Sequence, residues 1–113
     1  MDYELDKSRL MAKLADNLLT LRSKLKLKQS ELAEKVGVSR QTVIQIEKGK
    51  RPMQWVTFLA ILSVFNADPD TSELLNHFGI YTDELENYLC SSEKLSKTNQ
   101  NHIELLETNS HGS

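Results

Sequence analysis

The sequence of 113 residues is poor in the residues that build disulfide scaffolds, metal sites and membrane spans. Its single cysteine, Cys90, cannot close an intramolecular disulfide, and the closely spaced Cys and His ligands of a structural zinc site are missing. His77, His102 and His111 are scattered and read as surface histidines. Cys90 has no basic neighbour nearer than Lys94, and no nucleophile–base pair stands elsewhere, so the chain is not expected to be an enzyme or to need a cofactor. No apolar run approaches the roughly 18–20 residues of a membrane-spanning helix. The longest candidate, 55–65, is interrupted by Thr57 and Ser63 and reads as core. Met1-Asp2-Tyr3-Glu4-Leu5-Asp6 is acidic where a secretory signal is basic and then apolar, so a cytoplasmic protein is expected.

What is present is Leu-rich and heavily charged. Hydrophobic residues make up 39% and charged residues 27%, with only four Gly and two Pro, which favours amphipathic helices in one compact domain. The net charge of −2 hides a strong asymmetry. Residues 1–66 carry twelve Lys/Arg against seven Asp/Glu, and residues 67–113 carry two against nine. The basic part narrows to 20–52, where nine cations (Arg22, Lys24, Lys26, Lys28, Lys35, Arg40, Lys48, Lys50 and Arg51) face three anions (Glu31, Glu34 and Glu47). A short stretch this basic attracts polyanions, while the acidic remainder disfavours loose nonspecific binding.

Periodicity places the elements. Leu10, Leu14, Leu18, Leu21 and Leu25 recur every three or four residues and predict a helix over 8–25. Leu32, Ala33 and Val36 share a face of a two-turn helix over 29–36, which Gly37 can end in a left-handed conformation. Ser39 caps the next helix, with Val43 and Ile46 three apart, running to Lys48 and stopping at Gly49. After Pro52, the residues Trp55, Phe58, Ile61, Leu62 and Phe65 form the apolar stripe of a fourth helix ending near Asn66. Asp70-Thr71-Ser72-Glu73 has capping-box spacing, with Asp70 as the cap, and predicts a fifth helix through Leu74, Leu75 and Phe78 to Gly79. Thr82 caps a sixth in which Leu85, Tyr88 and Leu89 share a face. The expected organisation is a five-helix domain over 8–79, a C-terminal helix within 80–95, and a polar, mobile tail over 96–113.

Two short helices joined by a tight turn at a glycine, the second opening on a serine cap, make a helix-turn-helix over 29–48. Ala33 stands where the two helices cross closely, and Leu32, Val36, Val38, Val43 and Ile46 are apolar where the pair must pack on its neighbours. The run from Gln29 to Lys50, QSELAEKVGVSRQTVIQIEKGK, closely resembles the phage-repressor (Cro/Xre) family of DNA-binding proteins, with a match extending over roughly 14–65. The resemblance implies an all-α, repressor-like domain whose second motif helix lies in the major groove of double-stranded DNA. Position by position it implies Arg40, Gln41 and Gln45 as base-reading residues, with Thr42 a lesser one. The chemistry agrees, since Arg suits guanine O6 and N7 and Gln suits adenine N6 and N7, each worth about 1–3 kcal/mol of discrimination. Gln29 matches a residue that meets a phosphate, and Lys28, Lys48, Lys50 and Arg51 are candidate phosphate neighbours. Lys28 stands where a capping Ser, Thr or Asn is common, Met53 lies in a loop without a unique alignment, and Ile44 is apolar where the family is small or polar.

Glu47 faces the unfavourable negative end of its helix and needs a partner. With Arg22 it matches an Arg–Glu pair that ties the first helix to the third, so a partly buried, bidentate, structural pair is expected. Binding a single half-site gives modest affinity, and such proteins commonly dimerise. Leu75, Phe78, Ile80, Tyr81, Leu85, Tyr88 and Leu89 are the candidates for a homodimer surface. The reading is a DNA-binding transcriptional regulator, a homodimeric repressor. The alternative is an antitoxin or protein-interaction module whose acidic C-terminal segment binds a protein partner, with autoregulatory DNA binding.

Overall fold

The computed structural model describes residues 5–90, and among them all regular structure is helical. Six helices follow in order: α1 (Lys7–Lys24), α2 (Gln29–Val36), α3 (Arg40–Glu47), α4 (Trp55–Asn66), α5 (Pro69–His77) and α6 (Asp83–Cys90). The chain divides into two compact units at Tyr81/Thr82, so α1–α5 belong to the first and α6 to the second. The N–H groups of Ile80 and Tyr81 both bond to the Leu75 carbonyl, at 2.9 and 3.1 Å, and Ile80 is fully buried, which ties both residues to the end of α5. The expected tail, 96–113, lies outside the described residues.

The α1 stripe forms as its spacing predicts. Leu10, Leu14, Leu18 and Leu21 are buried, and Leu25, the C-cap, is half-buried. α1 packs on α3, α4 and α5, α2 packs on α3 and α4, and α4 packs on α5. Leu32, Ala33, Val43, Ile46, Phe58, Ile61, Leu62, Phe65 and Leu75 complete one continuous core. Full burial of each large aliphatic or aromatic side chain stabilises by about 1.5–3 kcal/mol, so helices of eight residues, too short to persist alone, are held by packing. Trp55 departs from the expected stripe. It is half-buried, stacked on Phe58 with ring centroids 4.7 Å apart, and Lys7 Nζ lies 4.9 Å over its ring.

Two helix ends differ from the sequence reading. α5 begins at Pro69, not at Asp70, because Asp68 is the N-cap and accepts the Asp70 N–H at 2.9 Å. Proline at the first helical position has no N–H to satisfy, so it suits this start. Thr71, read as part of a capping box, is instead fully buried and donates its hydroxyl to the Phe65 carbonyl at 2.6 Å, fastening α5 to the end of α4. α1 ends with Lys26 in the left-handed region at φ 56°, its N–H bonded to the Ser23 carbonyl and that of Leu27 to the Arg22 carbonyl. A lysine there bears a Cβ penalty that a glycine would not.

Candidate nucleic-acid interface

The turn between α2 and α3 is built by Gly37, whose φ of 87° lets both its own N–H and that of Val38 return to the Ala33 carbonyl, at 2.8 and 3.0 Å. Ser39 follows at once as the α3 N-cap, its hydroxyl accepting the Thr42 N–H at 3.1 Å. Only two residues outside regular helix and one cap separate the two axes, so the direction of α3 is set by the turn and by the burial of Val43 and Ile46. α3 is then about 12 Å long, short enough to lie within one major groove.

With Val43 and Ile46 turned inward, Arg40 and Gln41 are exposed on the first turn of α3, and Gln45 stands one turn beyond Gln41, half-buried. Ile44 is half-buried as well. Thr42, the lesser base-reading candidate, is half-buried and its hydroxyl is engaged. Its hydroxyl accepts from Arg51 Nη1 at 3.1 Å and shares a hydrogen bond with Ser39 Oγ at 2.9 Å. Arg51 therefore spends one of its N–H groups on the start of α3, while its side chain stays exposed beside Lys50 and Pro52. Together Val38, Ser39, Thr42, Arg51, Gln54 and Thr57 line a cleft between the starts of α3 and α4, which sequence spacing does not signal.

At the opposite end of α3, Arg22 and Glu47 meet in a bidentate pair, Nε to Oε2 at 2.7 Å and Nη2 to Oε1 at 3.1 Å, with side chains 12% and 9% exposed. Arg22 Nη1 also donates to the Leu27 carbonyl at 2.8 Å, which binds the α1–α2 turn to the same guanidinium. Gln29, expected to point at a phosphate, has its Nε2 on Glu47 Oε1 at 3.0 Å. Lys28 opens α2, and its backbone N–H is satisfied by the Glu31 carboxylate at 2.8 Å; a lysine side chain, which only donates, cannot cap the helix itself.

The charge becomes simpler once the geometry is known. Of the nine cations between residues 20 and 52, Arg22 is neutralised by Glu47 inside the structure, and Lys24, Lys26, Lys28, Lys35, Arg40, Lys48, Lys50 and Arg51 are all exposed. Lys24, the last residue of α1, and Lys26, in the α1–α2 turn, belong to the basic stretch but not to the phosphate candidates that the sequence offers, although alternation with Leu25 and Leu27 marks them as solvent-facing. The surface offered by α2, α3 and the turns around them is thus a set of cations flanking a short helix with Arg and Gln on its outer side.

The proposed dimer residues separate by burial. Leu75 and Ile80 are fully buried in the first unit and Leu85 is fully buried in the second, which removes all three from the exposed surface. Phe78 and Tyr81 are half-buried, and Tyr88 and Leu89 are 48% and 42% exposed. Thr82 caps α6 as expected, accepting the Leu85 N–H at 3.1 Å, and Cys90 is exposed. Among the described residues no three His, Cys, Asp or Glu side chains are grouped to hold a metal ion, and no helix is long and apolar enough to cross a membrane.

Residues 13–75 match the family model described as a helix-turn-helix domain. A 29-residue stretch, 26% of the chain, is 62% identical to a protein of Methanothermobacter thermautotrophicus described as an uncharacterized HTH-type transcriptional regulator. That alignment spans 42% of the relative's length. No solved structure matches the chain significantly.

Proposed function

This chain belongs to the helix-turn-helix domain family, and on that premise we propose that it is a sequence-specific, double-stranded-DNA-binding transcriptional regulator, a repressor of the Cro/Xre kind that works as a homodimer in the cytoplasm. The observation that carries the reading is the outer side of α3. Arg40 and Gln41 stand exposed on a capped helix start, Gln45 follows one turn later, and exposed cations flank them on both sides. Arg and Gln are the side chains whose donor and acceptor geometry matches guanine and adenine edges, and the lysines supply the sequence-independent attraction to phosphate. The regulator named by the relative supports the same class.

As a dimer the protein reads two half-sites about 34–36 Å apart on one face of the duplex. Repression follows from occupying an operator that polymerase must cross. No catalytic step is part of this reading.

The test is selection of binding sequences from a pool of random duplexes, followed by fluorescence anisotropy of the full chain on the enriched duplex and a scrambled control at two salt concentrations. An enriched two-fold-symmetric motif, preferred over the control at both concentrations, is expected. No enrichment, or equal and salt-sensitive binding to both duplexes, overturns sequence-specific regulation. Sedimentation with and without the duplex reports whether two chains bind per site, and one chain per site overturns the dimer.

A further inference from the structure

Of the two buried threonines, Thr71 spends its hydroxyl on the Phe65 carbonyl, whereas the hydroxyl of Thr57 meets no partner among the described residues. Thr57 is only 9% exposed, and a hydroxyl removed from water without a hydrogen bond is costly. It lines the cleft between the starts of α3 and α4, which has a volume of about 190 Å³.

The groups around that hydroxyl are of two kinds. Arg51 gives one N–H to Thr42 and keeps the rest of its fork for a further acceptor. α4 opens on Gln54 without a side-chain cap, and its first N–H to bond back is that of Phe58, so the N–H groups of Val56 and Thr57 meet no acceptor among the described residues. The positive end of a twelve-residue helix thus lies beside a guanidinium and an unused hydroxyl, and no carboxylate is among the residues lining the cleft. Val38, Ile46 and Pro52 supply an apolar wall. Donors and positive charge select an anion, and the wall selects a carbon body. The volume, below the roughly 300 Å³ at which sites for drug-sized molecules begin, keeps that body short.

We propose that this cleft binds a small organic acid through its carboxylate, and that its occupation lowers the affinity of the protein for DNA. The carboxylate accepts from Arg51 and from the Thr57 hydroxyl, while the carbon body lies on Val38, Ile46 and Pro52. Occupation neutralises Arg51, one of the exposed cations, and sets negative charge beside the start of α3, where Arg40 and Gln41 stand exposed. Acid and DNA therefore oppose each other, each weakening the other by the same factor. The effect on DNA rests on the DNA-binding reading; the binding of the acid does not.

The first test needs no DNA. The full chain is titrated with acetate, butyrate, benzoate, inorganic phosphate and the neutral butyramide at matched ionic strength, followed by nitrogen–proton NMR of the Thr57 backbone and the Arg51 side chain. Butyrate should shift both signals and saturate with a dissociation constant on the order of 1 mM, and butyramide should not. No saturable shift with any of the three carboxylates overturns the inference, and phosphate binding as tightly as butyrate overturns the assignment to an organic acid. Thr57→Val keeps the shape and removes the hydroxyl. It should weaken butyrate about tenfold with no fall in melting temperature; unchanged butyrate affinity, or a lower melting temperature, overturns the role of the hydroxyl. Arg51→Gln should make butyrate and butyramide equal, and retained selectivity removes the guanidinium from the site. In the second test, saturating butyrate should weaken binding to the enriched duplex about tenfold, and Thr57→Val, with its duplex affinity unchanged, should need more butyrate for the same effect. If Thr57→Val itself weakens the duplex, the occupant of the cleft is a DNA phosphate and the inference is overturned. Saturable butyrate binding in a chain that binds no duplex overturns the DNA reading and the antagonism, and supports the acid site.

Discussion

The two ends of α3 are held by opposite means. At its start, Ser39, Thr42 and Arg51 form a chain of hydrogen bonds between exposed or half-buried side chains, where water competes for every partner. At its end, Glu47 is gripped by Arg22 and Gln29 from two other elements, almost out of contact with solvent. The difference separates two tasks. The buried end fixes where α3 lies, because a carboxylate stranded there would be costly, and the exposed start carries Arg40 and Gln41, which on the proposed function can change with the sequence to be read at little cost to the fold.

The sharpest way to break this comparison is Arg22→Ala, which removes both guanidinium donors from Glu47, leaving only that of Gln29, and removes the anchor from Leu27. Urea denaturation should show a loss of about 3 kcal/mol, and an unchanged midpoint would mean that the end of α3 is not held by charge. Next in size, Gln41→Ala or Gln45→Ala should weaken binding to the selected duplex by about 1–3 kcal/mol with the melting temperature intact. If either variant unfolds the domain, the outer side of α3 has been assigned to the wrong residues. Ser39→Ala tests the exposed end directly. It removes the cap on the Thr42 N–H and should lower stability by about 1 kcal/mol, measurably less than the Arg22 variant. The smallest effect is expected from Lys26→Gly, which relieves the left-handed lysine ending α1 and should raise stability by about 0.5 kcal/mol, read as a small upward shift of the thermal midpoint.

Much of the architecture was legible beforehand for a local reason. α2 begins and ends where the pattern placed it, because Gly37 and Ser39 set the turn within a few residues and no distant contact is needed to choose it. The start of α5 is not legible in the same way, since Asp70 and Asp68 are both acceptable caps by type, and only the placement of Pro69 at the first helical position decides between them. Tyr88 and Leu89 share the expected side of α6 with Leu85, but periodicity carries no measure of how deep a residue lies, so it could not separate buried Leu85 from its exposed neighbours.

The site divides along the same line. Which residues stand outward on α3 follows from a 3.6-residue period and two buried positions, both written in the chain. That Thr42 is engaged by Arg51, that Gln29 turns to Glu47, and that Leu75 and Ile80 are consumed by the core depend on residues 5 to 18 positions apart meeting in space. The sequence alone therefore determined the helices, the turn and the charge of the binding side, all set by interactions within a turn or two of chain. Only the tertiary structure decided which polar side chains remain free to meet a ligand, because a donor is spent or spared according to the neighbour that packing places against it.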